Sequence, residues 1–392
     1  MIIIGLMSGT SVDAIDAAAA EMTWRGPDIV LRPLGHAETR WPADVRARLL
    51  AALPPAATTM DEVCALDVLA GQAFGAAARR AATELTGGRA DLVVSHGQTV
   101  YHWVEAGQAH GTLQIGQPAA IVEATGLPVI SDLRARDIAA GGQGAPLAGT
   151  LDTLWLAGTD GMRRAALNLG GIANITVVGG PGEPALAYDT GPANCLLDVA
   201  AARLSDGAWS CDRDGRMALA GRVRADLLER LLAEPYYALP PPKSTGRELF
   251  HKAYVEEKLA GLPAASPEDL MATLTELTAV TVTRRCAAGG VAEVVASGGG
   301  VRNPALMAAL ARNLAPAKLI TSEARGMPAD GKEAYLMALI GFLTWYGVPG
   351  VAAGTTGSRM PRVLGRISPG DVPLRLPEPA GQPRSLVIER GP

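Results

Sequence analysis

Cysteine is scarce in this chain: Cys64, Cys195, Cys211 and Cys286 are the only four in 392 residues. They are scattered, with no CxxC spacing. That excludes a disulfide framework and a thiolate zinc site, and leaves small buried hydrophobes in a reducing compartment as the expectation. An excess of basic charge is also missing. Lysine and arginine total 35 against 39 acidic residues, a net charge of −4, and no basic stripe is present. Nucleic acid is therefore not an expected partner. The N-terminus has no basic stretch ahead of its apolar run, and Gly5 and Ser8 break that run at once. It reads as neither signal peptide nor membrane span. The alanine-rich windows at 76–82 and 305–311 are interrupted by charges, as in helices of a soluble protein, so the expected location is the cytoplasm. With 48% hydrophobic and 19% charged residues the chain is no disordered one, and its length predicts two domains.

What is present begins at the first strand. Ile2–Leu6 runs into Met7-Ser8-Gly9-Thr10-Ser11, and a second segment, Val12–Ala20, leaves it carrying Asp13 and Asp16. Val12, Ala14 and Ala18 share one face at period two, and Asp13 lies on the other. A Gly/Ser/Thr turn lets backbone N–H groups converge on an anion. No lysine follows, so the Walker pattern is absent, and GxGxxG is absent at this turn too. If phosphate binds here, it binds in a β-hairpin. On these residues alone the stretch is as readily a structural turn.

Further along, 43–53 and 60–86 read as helices, with Asp61 as a cap or first-turn acid and Gly87-Gly88 as the stop. A strand over Asp91–Ser95 ends in His96-Gly97-Gln98-Thr99-Val100-Tyr101-His102. Polar residues at such a strand end are where ligands usually sit. Histidines six apart do not form a helical metal pair. Short strands are predicted at Thr112–Ile115 and Val129–Ser131, with a helix over Pro118–Thr125 between them. Arg134, Arg136 and Asp137 precede the glycine-rich run 139–146, read as a hinge or a close backbone approach, with a domain boundary near 128–145. The second half opens like the first: strand 165–169, turn Gly170-Gly171, strand 173–178. Asp189 then precedes Thr190-Gly191-Pro192-Ala193-Asn194 and an apolar helix. It reads either as a catalytic base at a strand end or as an N-cap. Pro240–Glu248 is a rigid polar insertion. Residues 267–288 read as helix, and strand 293–297 ends in Gly298-Gly299-Gly300, which could let a nucleotide lie on bare backbone. Asp330–Ala334 opens a helix over 335–346, and the Gly/Pro-rich tail is expected to return to the first domain.

Taken in order, GLMSGTSVDAID, SHGQTVYH, TLQIG, SDLRARDIAAGGQGAPL, NLGGIANIT, YDTGPANCLLD, PPKSTGRE, GGGVRN and ADGKEAYLMALIG closely resemble the bacterial anhydro-N-acetylmuramic acid kinases, over about residues 3–370. No one motif decides; the ordered set does. The chain departs from the family pattern at Ala14 and Ala193, where glycine is usual, at Leu133 for phenylalanine, and in the loop 347–356.

The resemblance implies an α/β, two-lobed actin/hexokinase-like (ribonuclease H-like) fold with a central ATP/sugar cleft. The lobes are expected at 1–130, completed by about 360–392, and at 131–360. It implies a kinase that uses ATP and Mg2+ to open the 1,6-anhydro bridge of 1,6-anhydro-N-acetylmuramic acid and phosphorylate O6, in peptidoglycan recycling. A cytoplasmic homodimer with no nucleic-acid or membrane partner goes with it. Asp189 matches the catalytic aspartate. Gly9, Thr10, Ser11, Val12, Asp13, Ala14, Ile15 and Asp16, with Gly298, Gly299 and Gly300, are expected at ATP. Ser11, Gln98, Thr99 and Glu333 are expected at the sugar, although Glu333 also suits a first-turn helix acid. Asp13 is expected near the metal, through water. Lys243, Ser244 and Arg247 are open between a closing segment and a structural role. The alternatives are another sugar kinase of this fold and a non-catalytic sugar sensor.

Overall fold

The computed structural model describes residues 1–105, 107–158, 160–180, 183–241, 243–246, 249–351 and 355–389. Two compact units emerge, Met1–Ala157 with Gly326–Pro392, and Gly158–Arg325. The first opens with β1 (Ile2–Ser8), β2 (Ala14–Arg25) and β3 (Asp28–Arg40), each antiparallel to the one before. The helix Met60–Thr86 leads into β4 (Leu92–Glu105), parallel to β1. β5 (Gln108–Ile115) folds back on β4, and after helix Pro118–Thr125, β6 (Val129–Ser131) lies parallel beside β4.

The second unit repeats this plan. β7 (Arg164–Leu169), β8 (Ile172–Val178) and β9 (Leu186–Pro192) are antiparallel. Helix Pro267–Ala288 leads into β10 (Glu293–Ser297), parallel to β7, and helix Pro304–Leu314 into β11 (Lys318–Thr321), parallel to β10. The chain then returns to the first unit. It forms helix Lys332–Trp345, β12 (Arg366–Ser368) against β6 and β13 (Leu386–Ile388) against β3. Leaving aside the β5 hairpin and the late strands, both sheets read third, second, first, fourth, fifth. This is the ribonuclease H-like order expected, laid down twice.

Local chemistry fixes the long helices. Thr59 Oγ1 accepts the N–H of Glu62, and Gly87 ends that helix in the left-handed region at φ 61°. Ser266 Oγ accepts the N–H of Asp269 ahead of Pro267. Asp61 is a first-turn acid and not the cap.

The faces of the first sheet follow from the two-residue period of a strand. Ile4, Leu6, Ile15, Ala17 and Ala19 pack in one core with Leu66, Phe74 and Ala77 of the helix Met60–Thr86. The opposite face meets helix Lys332–Trp345 at backbone distance. A Cβ on Gly5 would lie 1.9 Å from the Ala334 carbonyl oxygen, and one on Gly341 would lie 2.1 Å from Val94 Cγ2. Both faces of β2 are therefore covered, and Ala17–Ala20 are all buried. The alternation expected for that strand gives way to a run of small residues.

Several expectations need correction. The units divide after Ala157 and Arg325, not near 130 and 360. The glycine-rich run is no hinge between them: Gly144 N donates to Asp137 Oδ2 at 2.8 Å and Gln143 N to Thr356 O at 2.9 Å. It is folded onto the first unit, and helix Ala148–Leu156 packs on helix Lys332–Trp345 there. The strand expected to end at His96–His102 continues through these residues to Glu105, as β4 of the hairpin with β5. β3, unforeseen, is the third strand of the meander. Cys195 and Cys286 are buried as expected, and burial pushes the Cys286 thiol up to about 12; Cys64 and Cys211 are exposed, and all four are free. Among the described residues no helix is long and apolar enough to cross a membrane.

The Gly5 contact can be tested directly. Gly5→Ala should cost about 3 kcal/mol in chemical denaturation, because backbone must move to admit the methyl group. Gly381→Ala, with nothing within 4 Å of the added carbon, should stay within about 0.5 kcal/mol of the parent.

Candidate active site

The turn between β1 and β2 is held open from below. Ser8 Oγ donates to Ala14 O at 2.9 Å and accepts Trp41 Nε1–H at 3.1 Å. Val12 N–H returns to Gly9 O at 3.1 Å. Val12 itself adopts φ 53°, a region a β-branched residue avoids. Arg46 staples it there, with Nε on Val12 O at 2.7 Å and Nη2 on Asp13 Oδ1 at 3.1 Å. Strain of this kind is kept where the surroundings enforce it, often at ligand clamps. Thr10, Ser11 and Asp13 are exposed on the turn. Val12 and Ile15 are fully buried in the core, so they can meet a nucleotide only through main chain. Ala14 is in β2 and Ala193 has φ −116°, so neither alanine sits where only glycine is comfortable.

Polar groups converge at the ends of these strands. Gln98 is fully buried, and its Nε2 donates to Gly9 O at 3.2 Å. This ties β4 to the turn, while Gln98 Oε1 has no partner among the described residues. Thr99 Oγ1 accepts Gln114 Nε2–H at 3.2 Å. His96 is buried, its Nε2 accepting from Arg134 Nε at 2.8 Å and its Nδ1 donating to Gly97 O at 2.9 Å. Burial, then the arginine, pulls its pKa down to about 3, so the ring is neutral.

Glu333 stands in the first turn of helix Lys332–Trp345. Its side chain is exposed to solvent, with much protein packed around it. Burial pushes its pKa up and Asp16 adds to the rise, while Lys332 and Arg134 pull it back. Asp16 Oδ1 lies 2.9 Å from His36 Nε2, and that bond leads the rise in the His36 pKa. Lys332 Nζ is bonded to Asp152 Oδ1 at 2.7 Å. The first-turn acid reading is thus correct as to place, and the field of three charged neighbours goes beyond it.

In the second unit Asp189 is no helix cap. It lies in β9, and the helix Asn194–Leu204 starts five residues later with Ala193 at its cap position. Its Oδ2 accepts Thr245 N–H at 3.0 Å, its N–H donates to Lys243 O at 3.0 Å, and its carbonyl accepts Tyr236 O–H at 2.8 Å. Lys243 holds that segment in turn. Its Nζ donates to Tyr236 O at 2.7 Å and rides 4.2 Å over the Tyr236 ring, with burial drawing its pKa down to about 8. Lys243 therefore has a structural contact, and Arg247 lies outside the described residues, as do 352–354 of the loop 347–356.

The triple glycine divides its work. A Cβ on Gly298 would lie 2.4 Å from Asn168 Oδ1 and one on Gly300 2.6 Å from Leu169 Cβ, whereas Gly299 faces open space. Two of the glycines serve packing on β7, and one offers bare backbone. Sequence reasoning missed Arg46, His36, Lys332–Asp152, Tyr236 and Thr245, and passed over Arg134. Of the charged neighbours of Glu333, Lys332 adjoins it in the sequence, whereas Asp16 and Arg134 have no signal there beyond single letters far apart.

No group of three or more His, Cys, Asp or Glu able to hold a metal occurs among the described residues. A Mg2+ carried mainly by phosphate oxygens and water asks for only one or two carboxylates nearby. Asp13, mostly exposed, is available for this if it shares its arginine.

Since the Glu333 carboxyl is raised by folding, the folded chain binds its proton more tightly than the unfolded chain. Its contribution to stability therefore falls as pH rises from the unfolded value of about 4.3 through the folded one. Glu333→Gln should melt above the parent at pH 8 and together with it at pH 4; thermal unfolding at both pH values checks this.

A family model described as anhydro-N-acetylmuramic acid kinase matches residues 1–370. The anhydro-N-acetylmuramic acid kinase of Streptomyces coelicolor is 56% identical over 393 residues, covering 100% of both chains. That of Rhodococcus erythropolis is 50% identical over 397 residues, covering 99% of this chain and 100% of its own. Among solved structures, the activator of the 2-hydroxyisocaproyl-CoA dehydratase from Clostridium difficile with bound ADPNP aligns at TM-score 0.42 and 14% identity. It covers 86% of this chain and 92% of its own, a likeness too weak to carry weight. With the family model spanning nearly the whole chain and half or more of the residues shared with full-length relatives, the chain belongs to the anhydro-N-acetylmuramic acid kinase family.

Proposed function

We propose that this chain is an ATP-dependent kinase that opens the 1,6-anhydro bridge of 1,6-anhydro-N-acetylmuramic acid with water and phosphorylates the O6 released. The observation that carries the mechanism is the setting of Asp189. Its carboxylate and both its main-chain groups are engaged by Thr245, Lys243 and Tyr236, so its position is fixed before substrate arrives.

The chemistry needs such a group. Water attacks the anomeric carbon on the face opposite the bridge and gives its proton to Asp189, as to the base of an inverting glycosidase. The C1–O6 bond breaks. An ordinary hydrolase would protonate O6 with a second acid; here O6 bonds to the γ-phosphorus of ATP as the bond to the β-bridging oxygen breaks. The products are N-acetylmuramic acid 6-phosphate and ADP.

Phosphoryl transfer asks chiefly for positioning and charge neutralisation. Gly9, Thr10 and Ser11 supply donors on the strained turn, and Gly299 offers bare backbone. Bound Mg2+ would neutralise phosphate charge, with Asp13 nearest. Gln98, Thr99, Ser11 and Glu333 serve the sugar. Gln98 joins the two tasks, because it bonds the turn after β1 while its own carbonyl oxygen has no partner among the described residues.

The same reading makes the enzyme a cytoplasmic homodimer in peptidoglycan recycling. Tyr101, Trp103, Val104 and Leu113, exposed on the β4–β5 hairpin, support self-association.

Asp189→Asn keeps the shape and removes the base. Turnover should fall by at least about 10³-fold, while ATP and sugar bind within a few-fold of the parent by calorimetry. Full activity in that variant would refute the assignment.

A further inference from the structure

One buried cation in the first unit has no role in the steps above. Arg134 follows β6 and precedes the glycine-rich run. Its Nε donates to His96 and its Nη1 to Gly144 O. Its Nη2 has no hydrogen-bond partner among the described residues, and no carboxylate there lies within ion-pair distance of it. The nearest acids are otherwise occupied or open to solvent. Asp137 accepts from Gly144 N and Thr356 Oγ1, each at 2.8 Å, and Glu333 is open to solvent. Protein surrounds Arg134 on nearly every side, though some of its surface still meets solvent.

A guanidinium in such a place is costly unless something matches its charge. His96 cannot, since it is neutral and uses its lone pair to hold the fork in one orientation. The Gly144 carbonyl holds it from a second side. The arrangement leaves one edge of a rigid planar donor free beside the group expected to bind sugar, and burial lowers the Arg134 pKa only to about 10, so it stays charged. Carboxylates are the partners such a fork fits best.

We propose that Arg134 recognises the carboxylate of the substrate's lactyl ether and so selects muramic-type sugars over glucosamine-type sugars. This rests on the reading of the chain as a kinase of 1,6-anhydro-N-acetylmuramic acid. That sugar differs from 1,6-anhydro-N-acetylglucosamine only by the lactyl group. A buried donor left unpaired by the smaller sugar penalises it, which is how a polar site rejects an analogue lacking its partner.

The test compares kcat/KM for the two sugars in the parent enzyme, Arg134→Gln and Arg134→Lys. The parent should prefer the muramic sugar by about 100-fold. Arg134→Gln should lose that preference through a higher KM for the muramic sugar, with kcat and the glucosamine sugar little changed. Arg134→Lys, which keeps the charge but not the fork, should fall between. Equal losses for both sugars would make Arg134 a structural residue only and overturn the proposal. A second measurement needs no variant: the neutral lactamide of the muramic sugar, offered to the parent enzyme, should lose about the same 100-fold, and unchanged efficiency would overturn the proposal. A parent enzyme that phosphorylates both sugars equally well leaves the kinase reading standing and this inference refuted. One that phosphorylates neither refutes the kinase reading itself, and the selection with it.

Discussion

The first unit depends on one close contact between backbones. Gly5 of β1 meets the first turn of helix Lys332–Trp345, and Gly341 of that helix meets Val94 of β4. Neither position has room for a side chain. Because helix and sheet touch so closely, the helix from Ala334 to Thr344 is entirely buried, and its first turn is set at a fixed height over the strand ends. Glu333 is in that turn. The carboxylate is therefore brought into the electrostatic reach of Asp16 on β2 and of Arg134 after β6, although these residues are hundreds of positions apart. Small residues buried on both faces of a sheet here determine where a charge resides.

The two units share a strand order and use it differently. In the first, the turn after β1 is exposed, strained at Val12 and stapled by Arg46, which leaves its outer donors for a ligand. In the second, the corresponding turn has its carbonyls taken. Gly170 O and Gly171 O accept from the main chain of Ala193, Asn194 and Cys195, and Asn194 Nδ2 adds a bond to Gly170 O at 2.8 Å. That closed turn anchors the segment that follows β9, and Asp189 lies just before it. One hairpin design thus yields an exposed, strained turn in one unit and a support for a fixed carboxylate in the other.

Much of this was legible in the chain. The helices at 60–86, 118–125 and 267–288 and the strand at 293–297 follow from periodicity, caps and prolines, which act within a few residues. The pairing of Ile2–Leu6 with the segment after it was legible for the same reason. What the letters hid was long-range. The covered second face of β2 depends on a helix that begins more than 300 residues later. The domain boundary was misread because a glycine-rich run suggests a hinge, whereas Gly142 and Gly144 have no room for side chains: the first closes on the buried Asp137 and the second on Ile138. Among the candidate site residues, Asp189 and Glu333 could be named from motif letters. Their long-range partners and field could not, since Thr245 meets Asp189, and Asp16 and Arg134 come into the field of Glu333, only through the fold. Val12 and Ile15, named in the same motif, are core residues, because a motif on a strand records packing and binding together.

The central claim is that a single carboxylate suffices for bridge opening because phosphoryl transfer captures the leaving oxygen. The most direct measurement is mass spectrometry of the product formed in 18O-enriched water with ATP. The account predicts one heavy oxygen at C1 and phosphate on O6 in the same molecule. Phosphorylated sugar without label at C1 would contradict it.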